Sequence, residues 1–322
     1  MAWTGPAAQA GERPRAQQAR VGWTAPRFPT RPRSVRAPWT IRQILGWMTD
    51  DLRERGFDSP RLDAELLVAH ALGVARVGLY LDLDRPLTED ERAAIRALVV
   101  RRRAHEPVAY ILGYREFYGR RFTVCPAVLV PRPDTETLVD RALALLDGAS
   151  TARVLDLCTG SAAIAITVAA ERPGAVVDAT ELSTEAAAIA RRNAGSLGVD
   201  ERVRVLDGDL FSPLDSGARY DLIVANPPYI RRDELAALPR DVRAYEPAMA
   251  LDGGDDGLDL IRRIVAEAPR HLAPRGHLLI EIGHDQAAAA IALVEADRAL
   301  TEPHTHADLG GHARVLEARL VE

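Results

Sequence analysis

The sequence predicts an α/β fold, a doubly wound parallel sheet preceded by a small helical domain and joined to it by a β-hairpin linker. Three observations carry that expectation. Apolar runs at 153–157, 175–179, 203–206, 220–225 and 277–282 alternate with helical patterns, alanine-rich after each of the first two and before the last, as parallel strands with crossover helices require. Residues 39–106 show helical periodicity instead. Between them, Tyr110, Tyr114, Phe117, Tyr118 and Phe122 are concentrated in a chain with only sixteen aromatic residues, followed by alternating Val128 and Val130. That texture marks 107–133 as the hairpin and leaves 134–322 for the sheet domain.

Taken in order, residues 1–38 hold six prolines, seven arginines, one acid and no apolar periodicity, so they read as a flexible tail. In the helical domain, Leu62, Leu66, Ala69 and Leu72 recur at helical spacing between a capping Ser59 and a terminating Gly73. Thr88 and Glu91 form a capping box for a helix with Ile95, Leu98 and Val99 on one face. It ends in Arg101-Arg102-Arg103, a run expected to complement the helix C-terminus and stay solvated.

Composition excludes several classes of function. A net charge of −5 on 322 residues conceals a basic tail, and residues 39–322 carry 34 arginines against 45 acids, a net −11. Such a surface argues against a direct nucleic-acid substrate held through its phosphates. All the basic residues are arginine, a bias that suggests a GC-rich bacterial genome. Two cysteines, Cys125 and Cys158, form no CxxC pair, which fits a reducing cytoplasm. No apolar stretch is long enough to span a membrane. The eight histidines, His304, His306 and His312 among them, lack metal-site spacing, so no metal is expected.

The chemistry is concentrated at strand ends. Val154-Leu155-Asp156-Leu157 runs into Cys158-Thr159-Gly160-Ser161-Ala162, a small-residue turn that brings a ligand's polar atoms to helix N–H groups, with Asp156 supplying a carboxylate. It lacks the G-x-G-x-x-G fingerprint of a nicotinamide dinucleotide fold. Glu181 lies twenty-one residues after Gly160, at the end of the second strand, where an acid accepts from both hydroxyls of a ribose. Asp209 is suited to an adenine amino group and Leu210 to the ring. After the fourth strand comes Asn226-Pro227-Pro228-Tyr229. Two prolines remove two N–H groups and stiffen the loop, so the Asn226 side-chain oxygen and the Pro227 carbonyl converge as acceptors on one planar NH2 group. The Tyr229 ring is expected to pack on its flat face.

With these motifs the chain resembles the S-adenosylmethionine-dependent N5-glutamine methyltransferases, in particular the peptide chain release factor methyltransferase family (PrmC/HemK). The resemblance spans about residues 40–320 and includes Pro107 to Gly113, Glu116 to Gly119, Pro131-Arg132-Pro133-Asp134-Thr135-Glu136, and Glu246-Pro247. It continues through Ala250-Leu251, Gly253-Gly254, Asp256-Gly257-Leu258, Glu281-Ile282-Gly283 and Gln286, then Asp308, Gly311 and Arg314-Val315. It implies a Rossmann-like class I methyltransferase sheet with S-adenosylmethionine as cofactor. Cys158 to Ala162 would line its methionine part, Glu181 its ribose, and Asp209 with Leu210 its adenine. Asn226, Pro227, Pro228 and Tyr229 would hold the substrate glutamine, and the loop at Arg132 would help close the pocket. Cys158 and Ala162 stand where the family usually has glycine; Cys158 is small and expected to be harmless, whereas Ala162 adds a methyl group that puts cofactor affinity in doubt if its position needs a positive φ or close approach.

The implied reaction is methyl transfer to N5 of the glutamine in the Gly-Gly-Gln motif of release factors, by a cytoplasmic bacterial enzyme expected to be a monomer. Methylation of a ribosomal-protein glutamine or of an exocyclic base amine would use a similar loop.

Overall fold

Residues 38–321 are described by the computed structural model, so the tail expected over 1–38 lies outside the described residues apart from Pro38. Helix α1 (Ile41–Glu54) begins at a reciprocal capping box between Thr40 and Gln43. Helix α2 (Pro60–Leu72) has proline in its first turn and stops at Gly73, whose φ of 65° is left-handed. It buries Ala64, Leu67 and Val68, while Leu62 of the expected stripe is exposed. Apolar residues lie on several sides of this helix, so spacing alone did not fix which face turns inward. After the short α3 (Gly78–Leu81), helix α4 (Glu89–Arg103) starts with the Thr88 and Glu91 box and buries Ile95 and Val99, as the sequence indicated.

The arginine run at the end of α4 is not a solvated terminus. The Arg102 side chain is buried, its Nε donating to Asp63 Oδ2 at 2.8 Å and its guanidinium lying 4.1 Å from the Phe57 ring centroid. Arg103 pairs with Asp51, and Arg101 pairs with Glu106. The partners of Arg102 and Arg103 are acids on other helices, which linear spacing does not reveal.

Helix α5 (Val108–Leu112) leads into strands β1 (Tyr114–Phe117) and β2 (Arg120–Thr123), which pair antiparallel as the expected hairpin. Its two turn residues, Tyr118 and Gly119, have φ of 47° and 73°, the positive pair that a two-residue hairpin turn needs. Phe117 and Phe122 tuck into the core of the larger sheet. Val128 and Val130 form no strand; a turn closed by the Val128 N–H on the Cys125 carbonyl brings them against Tyr110, whose hydroxyl donates to the Val128 carbonyl.

The α/β part then runs α6 (Glu136–Leu145), β3 (Ala152–Leu157), α7 (Ala163–Glu171), β4 (Ala175–Glu181), α8 (Thr184–Ser196), β5 (Val203–Asp207) and β6 (Tyr220–Ala225). It continues with α9 (Arg240–Tyr245), α10 (Asp259–Glu267), β7 (Leu272–Glu281), α11 (Ala287–Ala296), β8 (Leu300–Ala307) and β9 (Ala313–Leu320). Strand order is β5-β4-β3-β6-β7-β9-β8, parallel from β5 to β7, with β9 and β8 antiparallel at one edge. That edge was not foreseen. Strand β8 is a half-exposed edge strand in which Thr301, Glu302, His304, Thr305 and His306 leave no apolar run to read.

Alternate residues of each central strand face opposite layers. Val154 packs with α6, α7 and α8, whereas Leu155 and Leu157 pack with α10 and α11. Both faces of the parallel strands are therefore covered, which explains their continuous apolar runs.

Replacing Arg102 by Met strands the Asp63 carboxyl in the interior and should destabilise the protein by about 3 kcal/mol, read by chemical denaturation.

Candidate active site

Strand register assembles the site. Leu157 of β3 lies opposite Thr180 of β4 and Ala225 of β6; Glu181 lies opposite Asp207 of β5, and Ala225 opposite Ile280 of β7. The next residues along, Cys158, Glu181, Asn226 and Glu281, consequently come together at the carboxyl ends of four adjacent strands. The order reverses between β3 and β6, where open α/β sheets form their ligand crevice.

A cleft of about 200 Å³ opens there. Its wall contains Cys158, Thr159, Gly160 and Ser161 from the first turn, Glu181, Asp209, Leu210, Asn226 and Pro228, and Arg132 from the loop before α6. Most of the residues singled out from sequence are thus brought to one cavity.

Four of them are placed differently. Asp156 is fully buried behind the wall, where Oδ2 accepts from the Thr159 hydroxyl (2.6 Å) and the Ala165 N–H (3.2 Å). Burial pushes its carboxyl up to about 7, so it ties the turn to α7 rather than presenting a carboxylate to a ligand. Ala162 is also buried, and Pro227 lies outside the wall. Tyr229 is not in the wall, and it packs on the apolar layer that includes α10 and α11.

Tyr229 instead anchors the loop. Its hydroxyl donates to Glu281 Oε1 at 3.2 Å, and burial, with the neighbouring Glu281 charge, holds the phenol protonated. Its carbonyl accepts from Gln286 Nε2 at 2.8 Å. The second glycine loop closes over its backbone, because a Cβ on Gly253 would lie 2.8 Å from the Tyr229 Cα and one on Gly257 2.4 Å from its carbonyl oxygen. The glycines at 253 and 257 are therefore packing requirements, and Gly257 also has a φ of 76°.

Cys158 and Ala162, the two departures from glycine, have φ of 58° and 62°. Both positions are left-handed, so each L side chain here carries backbone strain of about 1 kcal/mol. The Cys158 thiol is pushed up by burial and by the charges of Glu181, Asp156 and Asp209, which leaves it un-ionised and unreactive.

Glu181 organises the cofactor side of the cleft. Its Oε2 accepts from the Gly160 N–H (2.8 Å) and its Oε1 from the Ser183 N–H (3.0 Å), fixing both strand-end loops. Each oxygen retains a further lone pair for a ligand hydroxyl. Asp209 pairs with Arg263, and Arg132 pairs with Glu246 at 2.6 Å, so both arginines of the wall are already neutralised. Glu246 is otherwise buried, and burial holds its carboxyl above the usual range. A wall of paired arginines and carboxylates suits hydroxyls, an amine and a sulfonium better than phosphates. S-adenosylmethionine carries those groups.

On the substrate side, Asn226 Nδ2 donates to the buried Thr135 hydroxyl at 3.3 Å, which leaves Oδ1 for the cleft. Thr135 and Glu281 were quoted in the sequence motifs without a role. Asn193 was missed altogether: its Oδ1 accepts from Thr123 N–H and its Nδ2 donates to the Ser161 carbonyl, tying the hairpin to the first turn. A lone asparagine in an alanine-rich helix gives no linear signal.

Three of the eight histidines gather away from this site. His277 and His306 hydrogen-bond the buried Glu317, and His304 lies 3.6 Å from it. Arg141 already occupies both Glu317 oxygens, supplying the positive charge that a cation would bring. Among the described residues no helix is long and apolar enough to cross a membrane.

Comparison with known proteins agrees with the geometry. Residues 43–113 match a PrmC N-terminal domain model and residues 135–238 a Methyltransferase small domain model. The solved hMettl16 catalytic domain in complex with MAT2A 3'UTR hairpin 6 superposes with a TM-score of 0.52 at 17% identity, over 66% of this chain and 79% of that one. Fold and cleft together define an S-adenosylmethionine-dependent methyltransferase with a class I sheet. A Release factor glutamine methyltransferase of Geobacter sulfurreducens is 48% identical over 255 residues, covering 79% of this chain and 88% of that protein. One of Rhodopirellula baltica is 42% identical over 283 residues, covering 87% and 96%. The chain belongs to the release factor glutamine methyltransferase family.

Gly257→Ala drives a methyl group into the Tyr229 carbonyl and should lower methyl transfer at least about tenfold with S-adenosylmethionine affinity retained, measured by steady-state kinetics and calorimetry.

Proposed function

We propose that this protein transfers a methyl group from S-adenosylmethionine to the side-chain amide nitrogen of the glutamine in the Gly-Gly-Gln motif of peptide chain release factors, in the bacterial cytoplasm and as a monomer. The observation that carries the reading is Asn226 at the end of β6, held by Thr135 so that its side-chain oxygen is left for the cleft.

An amide nitrogen is a poor nucleophile because its lone pair is delocalised into the carbonyl. Asn226 Oδ1, the acceptor left for the cleft, would accept one hydrogen of the glutamine NH2 and so orient the amide nitrogen. Asn226 Oδ1 would also stabilise positive charge as it develops on nitrogen, and the N–H proton lost when the N–CH3 bond forms would pass to solvent. Pro228 stiffens the loop, and Tyr229 supports it from the apolar layer instead of stacking on the substrate. When bound, S-adenosylmethionine supplies a methyl group activated by its sulfonium. Glu181 would hold the ribose, Asp209 and Leu210 the adenine, and the turn from Cys158 to Ser161 the methionine part, with Ala162 shaping that turn from behind. Arg132, fixed by Glu246, would border the entrance. The helical part over 39–106 would grip a second surface of the release factor.

The decisive assay incubates the protein with S-adenosylmethionine and unmodified release factor and maps the product by peptide mass spectrometry. One methyl on the Gly-Gly-Gln glutamine is expected; methyl on a ribosomal protein or a nucleic-acid base alone would overturn the reading. Asn226→Ala should lower turnover by about two orders of magnitude with cofactor affinity retained. Glu181→Ala should weaken S-adenosylmethionine binding about tenfold or more, measured by calorimetric titration.

A further inference from the structure

The geometry points to a zinc-binding site made by His304, His306 and Glu317 on the exposed edge of the sheet. None of the three lines the methyl-transfer cleft, so the site does not rest on the function proposed above.

Strand pairing assembles the three, although His306 and Glu317 are eleven positions apart. His304 lies directly across from Glu317 in the β8–β9 pair, and His306, two residues further on, shares its face of β8. One ligand atom from each lies within 4.8 Å of the others. His306 Nε2 is 2.7 Å from Glu317 Oε2, and His304 Nε2 is 3.6 Å from the same oxygen. Nitrogen and oxygen ligands of a tetrahedral zinc stand about 3.3 Å apart, between those two values, so small side-chain adjustments close the site.

His304 is held in the form that a ligand needs. Its Nδ1 is 2.9 Å from the Glu302 carbonyl, and a carbonyl only accepts, so Nδ1 carries the proton. In the neutral ring this leaves a bare Nε2 lone pair 3.6 Å from a carboxylate oxygen, too far for a hydrogen bond. Two lone-pair atoms at that separation repel each other unless a cation joins them. A backbone carbonyl that fixes the far nitrogen is the usual support of a metal-bound imidazole. Here the support is built at the expense of backbone strain: Glu302 has a φ of 53°, and β8 is bulged between Thr301 and His304. A bulge re-aims the side chains that follow it, and strain of this kind collects at ligand sites.

The donor set selects the metal. Burial would raise the Glu317 carboxyl, but hydrogen bonds from Arg141, His277 and His306 outweigh it and keep the group ionised. Arg141 meets that negative charge, so a hard cation such as magnesium or calcium, which depends on charged oxygens, gains little here. Two imidazole lone pairs with one carboxylate oxygen suit zinc instead. His306 now donates through Nε2 to Glu317; on binding, zinc takes the place of that proton, which passes through solvent to Nδ1 of the same ring. The His304 side chain is half exposed, which gives the cation a path from solvent and leaves its fourth position to water.

The test titrates zinc chloride into the full chain, prepared without a histidine tag, by calorimetry, with magnesium and calcium chloride in parallel. One zinc per chain is expected, bound at least about tenfold more tightly than either hard cation, and His304→Ala or His306→Ala should each weaken it about tenfold or more. Replacing His284 and His312 together by alanine removes another close histidine pair and should leave zinc affinity unchanged. Zinc should raise the melting temperature of the wild type but not of His304→Ala. Methyl transfer without zinc should be the same in His304→Ala and wild type, which separates this result from the fate of the proposed function. Absence of zinc binding, equal binding of magnesium, or binding that survives loss of both His304 and His306 would overturn the site. If the alanine variants fail to fold, histidine NMR of the wild type decides: zinc must move the His306 proton from Nε2 to Nδ1, and an unchanged tautomer contradicts the inference.

Discussion

Everything at the site depends on the in-register ending of adjacent parallel strands. Because Leu157, Thr180, Ala225 and Ile280 are linked by strand pairing, the residues that follow them leave the sheet side by side. A one-residue slip in β6 would send Asn226 to the opposite layer. The sheet is protected against such a slip by burial on both faces, where Val154 and Leu155 belong to different apolar layers. Catalytic geometry is in this sense inherited from packing.

Buried carboxyls refine what the strands set up. Asp156, Glu246 and Glu281 are each withdrawn from solvent, and each stabilises a loop that borders the cleft. Asp156 holds the first turn, Glu246 holds Arg132, and Glu281 holds Tyr229. Such groups are costly to bury and are kept in proteins when their directionality matters. Here that directionality fixes loops that must meet a ligand with sub-ångström consistency. The strained φ values at Cys158 and Ala162 have the same character, since both lie in the turn that approaches the cofactor.

Much of this was legible in the sequence. The five parallel strands, the Thr88 capping box, the hairpin and the cleft residues from Cys158 to Asn226 follow from local patterns, because apolar runs and turn residues act over a few positions. Contacts between distant segments were not legible. The burial of Arg102 against Asp63, the withdrawal of Tyr229 onto Glu281 and the tie from Asn193 to Ser161 join residues 39, 52 and 32 positions apart. The last two strands escaped for another reason: polar residues on the half-exposed edge strand β8 erase the period that identifies a strand, and in β9, buried between β7 and β8, Arg314, Glu317 and Arg319 interrupt the apolar run. Asp156 was readable as a strand-end acid, but its burial was not.

The measurement that bears most directly on this account is a crystal structure with S-adenosylhomocysteine and a peptide carrying the substrate glutamine. The account predicts the glutamine NH2 within about 3 Å of Asn226 Oδ1, with Asn226 Nδ2 still donating to Thr135. A glutamine amide seated away from Asn226, or an Asn226 that turns its own NH2 toward the substrate, would contradict it.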